Sequence, residues 1–189
     1  WSNRGTLDKA GFSVAGSWAP DDHVSLGAEA QAFAVDTPLR ALLYGITANA
    51  AGVSAGYAWN ESSAVSASLR GLDFSDGNQR RSVVLAGAQR LLTEPHLQLT
   101  LRPGFYASTN SLAGAPYFNP SRDRSFSLAL AADHVIWRRY ERSLSQNLNA
   151  TVANYWQQGY GSGAIGGLRY TQVWRHDPLT EWRYGLELN

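Results

Sequence analysis

Residues Phe126 to Trp137 read FSLALAADHVIW, and apolar side chains return at every second position. Phe126, Leu128, Leu130, Ala132 and Ile136 fall on one face of an extended chain, and Ser127, Ala129, Ala131, Asp133 and Val135 on the other. This is the period of two that belongs to a strand, not the 3.6 of a helix. The alternation recurs along the chain and predicts about ten strands. They cover Gly11 to Trp18, Val24 to Val35, Ala48 to Trp59, Ala64 to Phe74, Arg81 to Leu92, His96 to Thr109, Phe126 to Trp137, Leu144 to Trp156, Ala164 to Trp174, and a last run through Trp182 and Leu188. Strands of soluble sheets average ~5–6 residues, whereas a tilted strand that crosses a bilayer needs roughly 9–11. The long greasy rows are therefore expected to face hydrocarbon.

The connections support this expectation. Short turns are predicted near residues 20, 61, 94, 140 and 177, and longer loops near 41, 77, 117 and 160. Transmembrane barrels carry short turns on the periplasmic side and long loops outside. Asp-Gly within DFSDGNQR (Asp73 to Arg80) is a strong hairpin signal. Asn110 to Arg124 reads as the longest irregular segment, and Asp36 to Ile46 as a loop. Pro103 interrupts a predicted strand and has no N–H to give a ladder, which calls for a bulge or a locally broken bond. Trp18, Trp59, Phe74, Trp137, Tyr140, Trp156, Trp174 and Trp182 stand at strand ends, where rings belong at headgroup level. The architecture expected is all-β: an antiparallel up-and-down transmembrane β-barrel, with residues 1–189 as one barrel domain. A soluble β-sandwich is the alternative for the same alternation.

Composition narrows the function classes. The 189 residues carry a net charge of +1, which offers no bulk attraction to nucleic acid. Cysteine is absent, so disulfides and thiolate metal sites are excluded. No His or carboxylate cluster has metal-ligand spacing, no phosphate loop occurs, and no cofactor is expected. No apolar run approaches the ~18 residues of a membrane helix. Methionine is absent too, Trp1 to Ala10 has no domain-opening character, and the chain stops at Asn189 without the aromatic end usual in bacterial barrels. A piece of a larger cylinder is expected.

In a barrel of this kind the informative side chains point inward. Alternation assigns Glu29, Gln31, Arg70, Arg90, Gln98, Arg102, Tyr106, Asp133, Asn147, Asn149, Tyr155, Arg169, Arg183 and Glu187 to that face. Amides, hydroxyls and ring faces suit sugar hydroxyls and acetamides. Carboxylates suit ammonium groups, and the arginines are expected mainly to pair with them across strands. Asp73, Asp76, Tyr117, Asp123 and Arg124 are candidates for an outer loop or gate, although Asp73 and Asp76 read more simply as turn residues. For catalysis only His134 stands out, on the apolar side of its strand, with no Ser or acid placed beside it by spacing.

With the hairpins placed, DTPLRA (Asp36 to Ala41), YAWNESS (Tyr57 to Ser63), DFSDGNQR, PYFNPSRDRS (Pro116 to Ser125), DHVIWRRYERS (Asp133 to Ser143) and YWQQGYGSG (Tyr155 to Gly163) together resemble the barrel of the PgaA family. The resemblance covers most of the chain from about Asp36 onward. It implies a sixteen-stranded outer-membrane porin for poly-β-1,6-N-acetylglucosamine, and so a segment that exports a partly de-N-acetylated polymer for biofilm matrix. It also implies, as partners, membrane lipid, a periplasmic helical-repeat domain of the same parent chain and a periplasmic deacetylase. A porin for small solutes and an outer-membrane hydrolase remain the alternatives.

Overall fold

The computed structural model describes residues 11–188, and within them ten strands form one antiparallel sheet in strict chain order. The strands are β1 (Phe12–Trp18), β2 (Val24–Ala32), β3 (Ala48–Asn60), β4 (Ser63–Phe74), β5 (Gln79–Thr93), β6 (Leu97–Asn110), β7 (Arg122–Arg139), β8 (Arg142–Gln157), β9 (Gly161–Arg175) and β10 (Glu181–Leu188). Among the described residues a single short helix, α1 (Leu39–Leu43), interrupts the connection between β2 and β3, where the sequence reads as plain loop. The expectations for Trp1 to Ala10 and for Asn189 lie outside the described residues. Each strand touches only the strands before and after it, so no second sheet among the described residues covers either face.

The register decides which side chains share a face, because directly paired residues point the same way. Leu26, Val53 and Leu69 continue as one apolar surface through Val83, Leu85, Phe105 and Phe126 to Val152, Leu168 and Leu188. That surface is uncovered: Val53 is 56% exposed, Leu69 58%, Phe126 56% and Val152 62%. A soluble sandwich would hide this row against a second layer. At ~25 cal/mol per Å² of apolar area left in water, such a face is stable only where lipid solvates it. No helix among the described residues is long and apolar enough to cross a membrane.

Among the described residues three β-bulges lie at one end of the sheet, between Ala58 and Asn60, between Arg90 and Leu92, and between Val135 and Trp137. A bulge adds one residue to a strand and so reverses the facing of the side chains beyond it. Past the third, Trp137 pairs with Leu144 and points outward. Strict alternation from Phe126 would have turned it inward. Pro103 resolves without a bulge: the ladder to β5 lapses between Ala86↔Gly104 and Gln89↔Leu101 with the register unchanged. Gly87 lies opposite, and a Cβ there would come within 3.0 Å of the proline ring, so glycine admits the close approach.

The connections differ from the expected alternation. At the bulged end they are short, at residues 19–23, 61–62, 94–96, 140–141 and 176–180. At the other end only two are long, 33–47 and 111–121. Those near 77 and 160 are the tight turns 75–78 and 158–160, and strands fill the glycine-rich stretch from Gly161. Gly77, at φ 88, supplies the left-handed residue that the Asp-Gly turn needs. The longest connection is 33–47, not Asn110 to Arg124, because β7 already begins at Arg122.

Candidate functional site

The polar face of the sheet carries all fourteen inward candidates. Strand pairing aligns Glu29 and Gln31 with Gly52 and Ala50, and through these with Arg70 and Leu72. It aligns Arg90 with Thr100, Gln98 with Asp133 and Asn147, and Arg102 with Ala129. It aligns Tyr106 with Ser125 and Tyr155, Asn149 with Arg169 and Glu187, and Arg183 with Val173. Small residues (Gly52, Ser54, Ser66, Ser68, Ser127, Ala129) lie between the long ones on this face and leave them room.

The charges on this face sort into three groups. Near the long-loop end, Arg70 bonds Glu29 and reaches Asp36 with Nε at 3.1 Å and a terminal nitrogen at 3.2 Å. Gln31 joins, accepting from Arg70 at 3.3 Å and donating to Glu29 at 3.3 Å. One guanidinium against two half-exposed carboxylates leaves the group anionic. Asp36 was not among the sequence candidates; it lies in a loop, and only the folding of residues 33–47 back over the polar face brings it to Arg70. In the middle, Arg169 donates twice to Glu187, at 2.9 and 3.1 Å, a directly opposed cross-strand pair. At the short-turn end, Glu181 is shared by Arg175 and Arg183, both at 2.9 Å. Among the described residues no ion pair engages Asp133, Arg90 or Arg102; Asp133 accepts instead from the Asn147 amide at 2.7 Å. Arg102, Asn147, Asn149, Thr151, Arg169 and Glu187 line a trough of about 540 Å³.

The gate candidates divide. Asp123 and Arg124 are not loop residues: β7 begins before the point the alternation suggested and takes both. Asp123 is buried on the polar face, where Ser108 and Tyr155 donate to it, the latter at 3.0 Å. Arg124 points to the apolar face and stacks over the Trp156 ring at 4.8 Å. Asp73 is an exposed residue within β4, not at the tip. Asp76 makes the turn, accepting from the Asn78 N–H at 3.1 Å, and also accepts from the Tyr117 hydroxyl at 3.1 Å.

Tyr117 is buried, stacked on Phe74 with centroids 5.2 Å apart. Phe74 therefore is no interfacial ring; it faces the polar side and joins Ala34, Ala41, Ala48, Ala50, Leu72 and Tyr117 in a small core. Both long connections thus fold over the polar face instead of standing clear of it. Asn78, fully buried, holds the second of them, 111–121: its amide nitrogen donates to Asn110, Tyr117 and Asn119 at 3.0–3.2 Å, and its carbonyl accepts from the Leu112 N–H at 3.1 Å. Burial raises the Tyr117 hydroxyl pKa above its ordinary 10.0, and Asp76 adds to the rise. No sequence signal marks Asn78 beyond its place after Asp-Gly. The contacts that matter come from over thirty positions away.

His134 faces the apolar side, where its Nδ1 accepts from the Gln146 amide at 2.9 Å; Gln146 in turn accepts from Tyr170 at 3.1 Å. This is an interfacial polar chain, and neither a serine nor an acid belongs to it. Among the described residues no group of His, Asp and Glu is arranged to hold a metal ion.

An uncovered apolar face, a polar face and inward-folded loops define an integral outer-membrane β-barrel wall. The chain belongs to the PgaA membrane β-barrel domain family, whose model matches residues 1–189. It is 33% identical over 164 residues to the poly-β-1,6-N-acetyl-D-glucosamine export proteins of Escherichia coli K12 and O157:H7. That match takes in 87% of this chain and 20% of theirs, so the chain spans about a fifth of these relatives. A solved bacterial polysaccharide outer membrane secretin superposes with a TM-score of 0.84 at 31% identity, over 95% of this chain and 62% of that one.

Proposed function

We propose that this segment is part of the wall of an outer-membrane channel that exports partly de-N-acetylated poly-β-1,6-N-acetylglucosamine for biofilm matrix. The observation that supports it most is the continuous polar face, fourteen large polar side chains on one side of a sheet whose other side is uncovered and apolar. Similarity to export proteins of that polymer supports the substrate class. In this reading sixteen strands close the cylinder, a periplasmic helical-repeat domain precedes it in the parent chain, and a periplasmic deacetylase supplies the cationic units. Lipid covers the outer face.

The mechanism is passage without covalent chemistry. Acetamides and hydroxyls of the polymer exchange hydrogen bonds with Gln98, Asn147, Asn149, Tyr106 and Tyr155. Each contact is individually weak, net ~0.5–1.5 kcal/mol, so the polymer slides and does not lodge. Ammonium groups meet Asp133, which no arginine among the described residues neutralises, and then the anionic Glu29–Asp36–Arg70 group near the loops. Arg102 and the closed Arg169–Glu187 pair keep the middle of the path from holding cations too firmly.

The test is secretion. The full-length protein, expressed in an export-deficient strain, is expected to restore extracellular polymer, and Asp133→Asn with Glu29→Gln is expected to reduce it. No restoration overturns the reading. Bilayer conductance separates the small-solute porin: block by cationic glucosamine oligomers belongs to the exporter, and unblocked current to the porin. His134→Ala is expected to leave secretion unchanged, against the hydrolase.

A further inference from the structure

We propose that the outward face of the β7–β8 hairpin tip, at Arg139 and Arg142, binds the phosphate of an anionic membrane phospholipid. The site rests on the membrane reading of the fold, not on which polymer passes through it.

The bulge between Val135 and Trp137 sets the orientation of this tip. It turns Trp137 outward, so Arg138 points to the polar side and Arg139 outward again. Arg139 pairs directly with Arg142 across the hairpin, and Leu144 continues the same outward row. Two arginine side chains therefore leave the sheet side by side on the lipid side. Like charges directly opposed on a sheet repel, and both residues are exposed. Among the described residues no ion pair relieves them: every one of the salt bridges there uses other arginines. Arg139 rests over the Tyr140 ring at 6.0 Å, which engages the guanidinium face and leaves its N–H edge for an acceptor. An anion is what this pair lacks.

The depth of the pair identifies the anion. Immediately toward the membrane, Trp137, Leu144, Trp174 and Trp182 form one paired outward row. Indole rings lie at headgroup level, so the arginine pair two pairing steps beyond, the next that faces outward, lies where lipid phosphates are. The end is the one with short turns, the periplasmic side in this class of barrel. A guanidinium fork matches two phosphate oxygens, and two opposed forks fit one phosphodiester between them. The apolar row below accommodates the acyl chains. Arg175 and Arg183 at the same end point to the polar side and already share Glu181, so they offer nothing to a lipid.

The experiment uses the full-length protein in micelles that contain equal amounts of dioleoylphosphatidylglycerol and dioleoylphosphatidylcholine. Native mass spectrometry reads the lipid retained. Preferential retention of phosphatidylglycerol is expected. Each basic residue near a membrane surface is worth about a fivefold change in partition. The preference is therefore expected to fall about fivefold for Arg139→Gln or Arg142→Gln and roughly 25-fold for both. Arg138→Gln removes the same charge from the same hairpin on the other face and is expected to leave the preference intact. An unchanged preference in the double variant, or an equal loss with Arg138→Gln, overturns the proposal. So does displacement of the lipid by an equal concentration of inorganic phosphate, which marks a simple ion site. If the double variant does not fold, the two single variants decide by the same ratio.

Discussion

At the long-loop end this chain packs as a water-soluble protein does; along the middle of the wall it does not. Phe74 and Tyr117 are buried to 4% and 5% exposure and Asn78 to 0%, with hydrogen bonds on both the amide nitrogen and the carbonyl of Asn78. A few residues away on the opposite face, Leu69 and Phe126 stay more than half exposed, with no second layer of the described residues above them. One strand serves both regimes: β4 presents Leu72 and Phe74 to the core and Leu69 to the outside. The difference teaches that two solvents shape this chain. Water drives the loops down onto the polar face, and hydrocarbon holds the apolar row, while the backbone ladder joins the two.

The contrast is broken most decisively in the wall. Leu130 sits on the apolar face, paired with Leu101 and Ala150 near the middle of β7. Leu130→Arg is expected to cost about 2–4 kcal/mol in bilayers, read as a lowered midpoint in denaturant titration of the reconstituted protein. The same substitution at Ala129, its neighbour on the polar face, is expected to cost far less. Equal losses would mean that lipid does not contact the Leu130 row.

The loop end answers to polar chemistry instead. Asn78→Ala strips partners from Tyr117, Asn110, Asn119 and the Leu112 N–H. Each orphaned buried group costs ~1–3 kcal/mol, less where the loop opens and water replaces the lost bond. The expected outcome is release of residues 111–121, seen as faster hydrogen exchange there, with the wall's own exchange unchanged. Uniform loosening would show that the loop core and the wall are one unit.

The smallest effect is expected from pH. The Tyr117 hydroxyl has its pKa raised above 10.0 by burial and by Asp76. The folded loop therefore favours the neutral phenol. This contribution is complete below the free-tyrosine value and is lost as pH rises through the higher folded one. Loop protection is expected to persist in mild alkali and to fall only in strong alkali, together with the appearance of the Tyr117 phenolate absorbance. Tyr117→Phe removes that alkaline step. In the turns at the other end, Asp21 and Asp177 are held below their ordinary 3.8 by backbone N–H donors. Their contribution is present at neutral pH and lost only in acid, as pH falls through the lowered values.

What the sequence determined by itself was the division into two faces. A period of two needs no tertiary information, since consecutive side chains of any strand point apart. Glu29, Arg102, Asn149 and Glu187 therefore share a face for a local reason, and the strand order comes from turns between neighbours. The tertiary structure decided what is not local. The bulge after Val135 reverses Trp137 and Arg139, and nothing in DHVIWRR marks where the extra residue is absorbed. The reach of Asp36 to Arg70, and of Asn78 to Tyr117, spans more than thirty positions. Side-chain periodicity carries no signal across that separation, because which loop folds onto which wall depends on burial summed over residues that meet only once the sheet has formed.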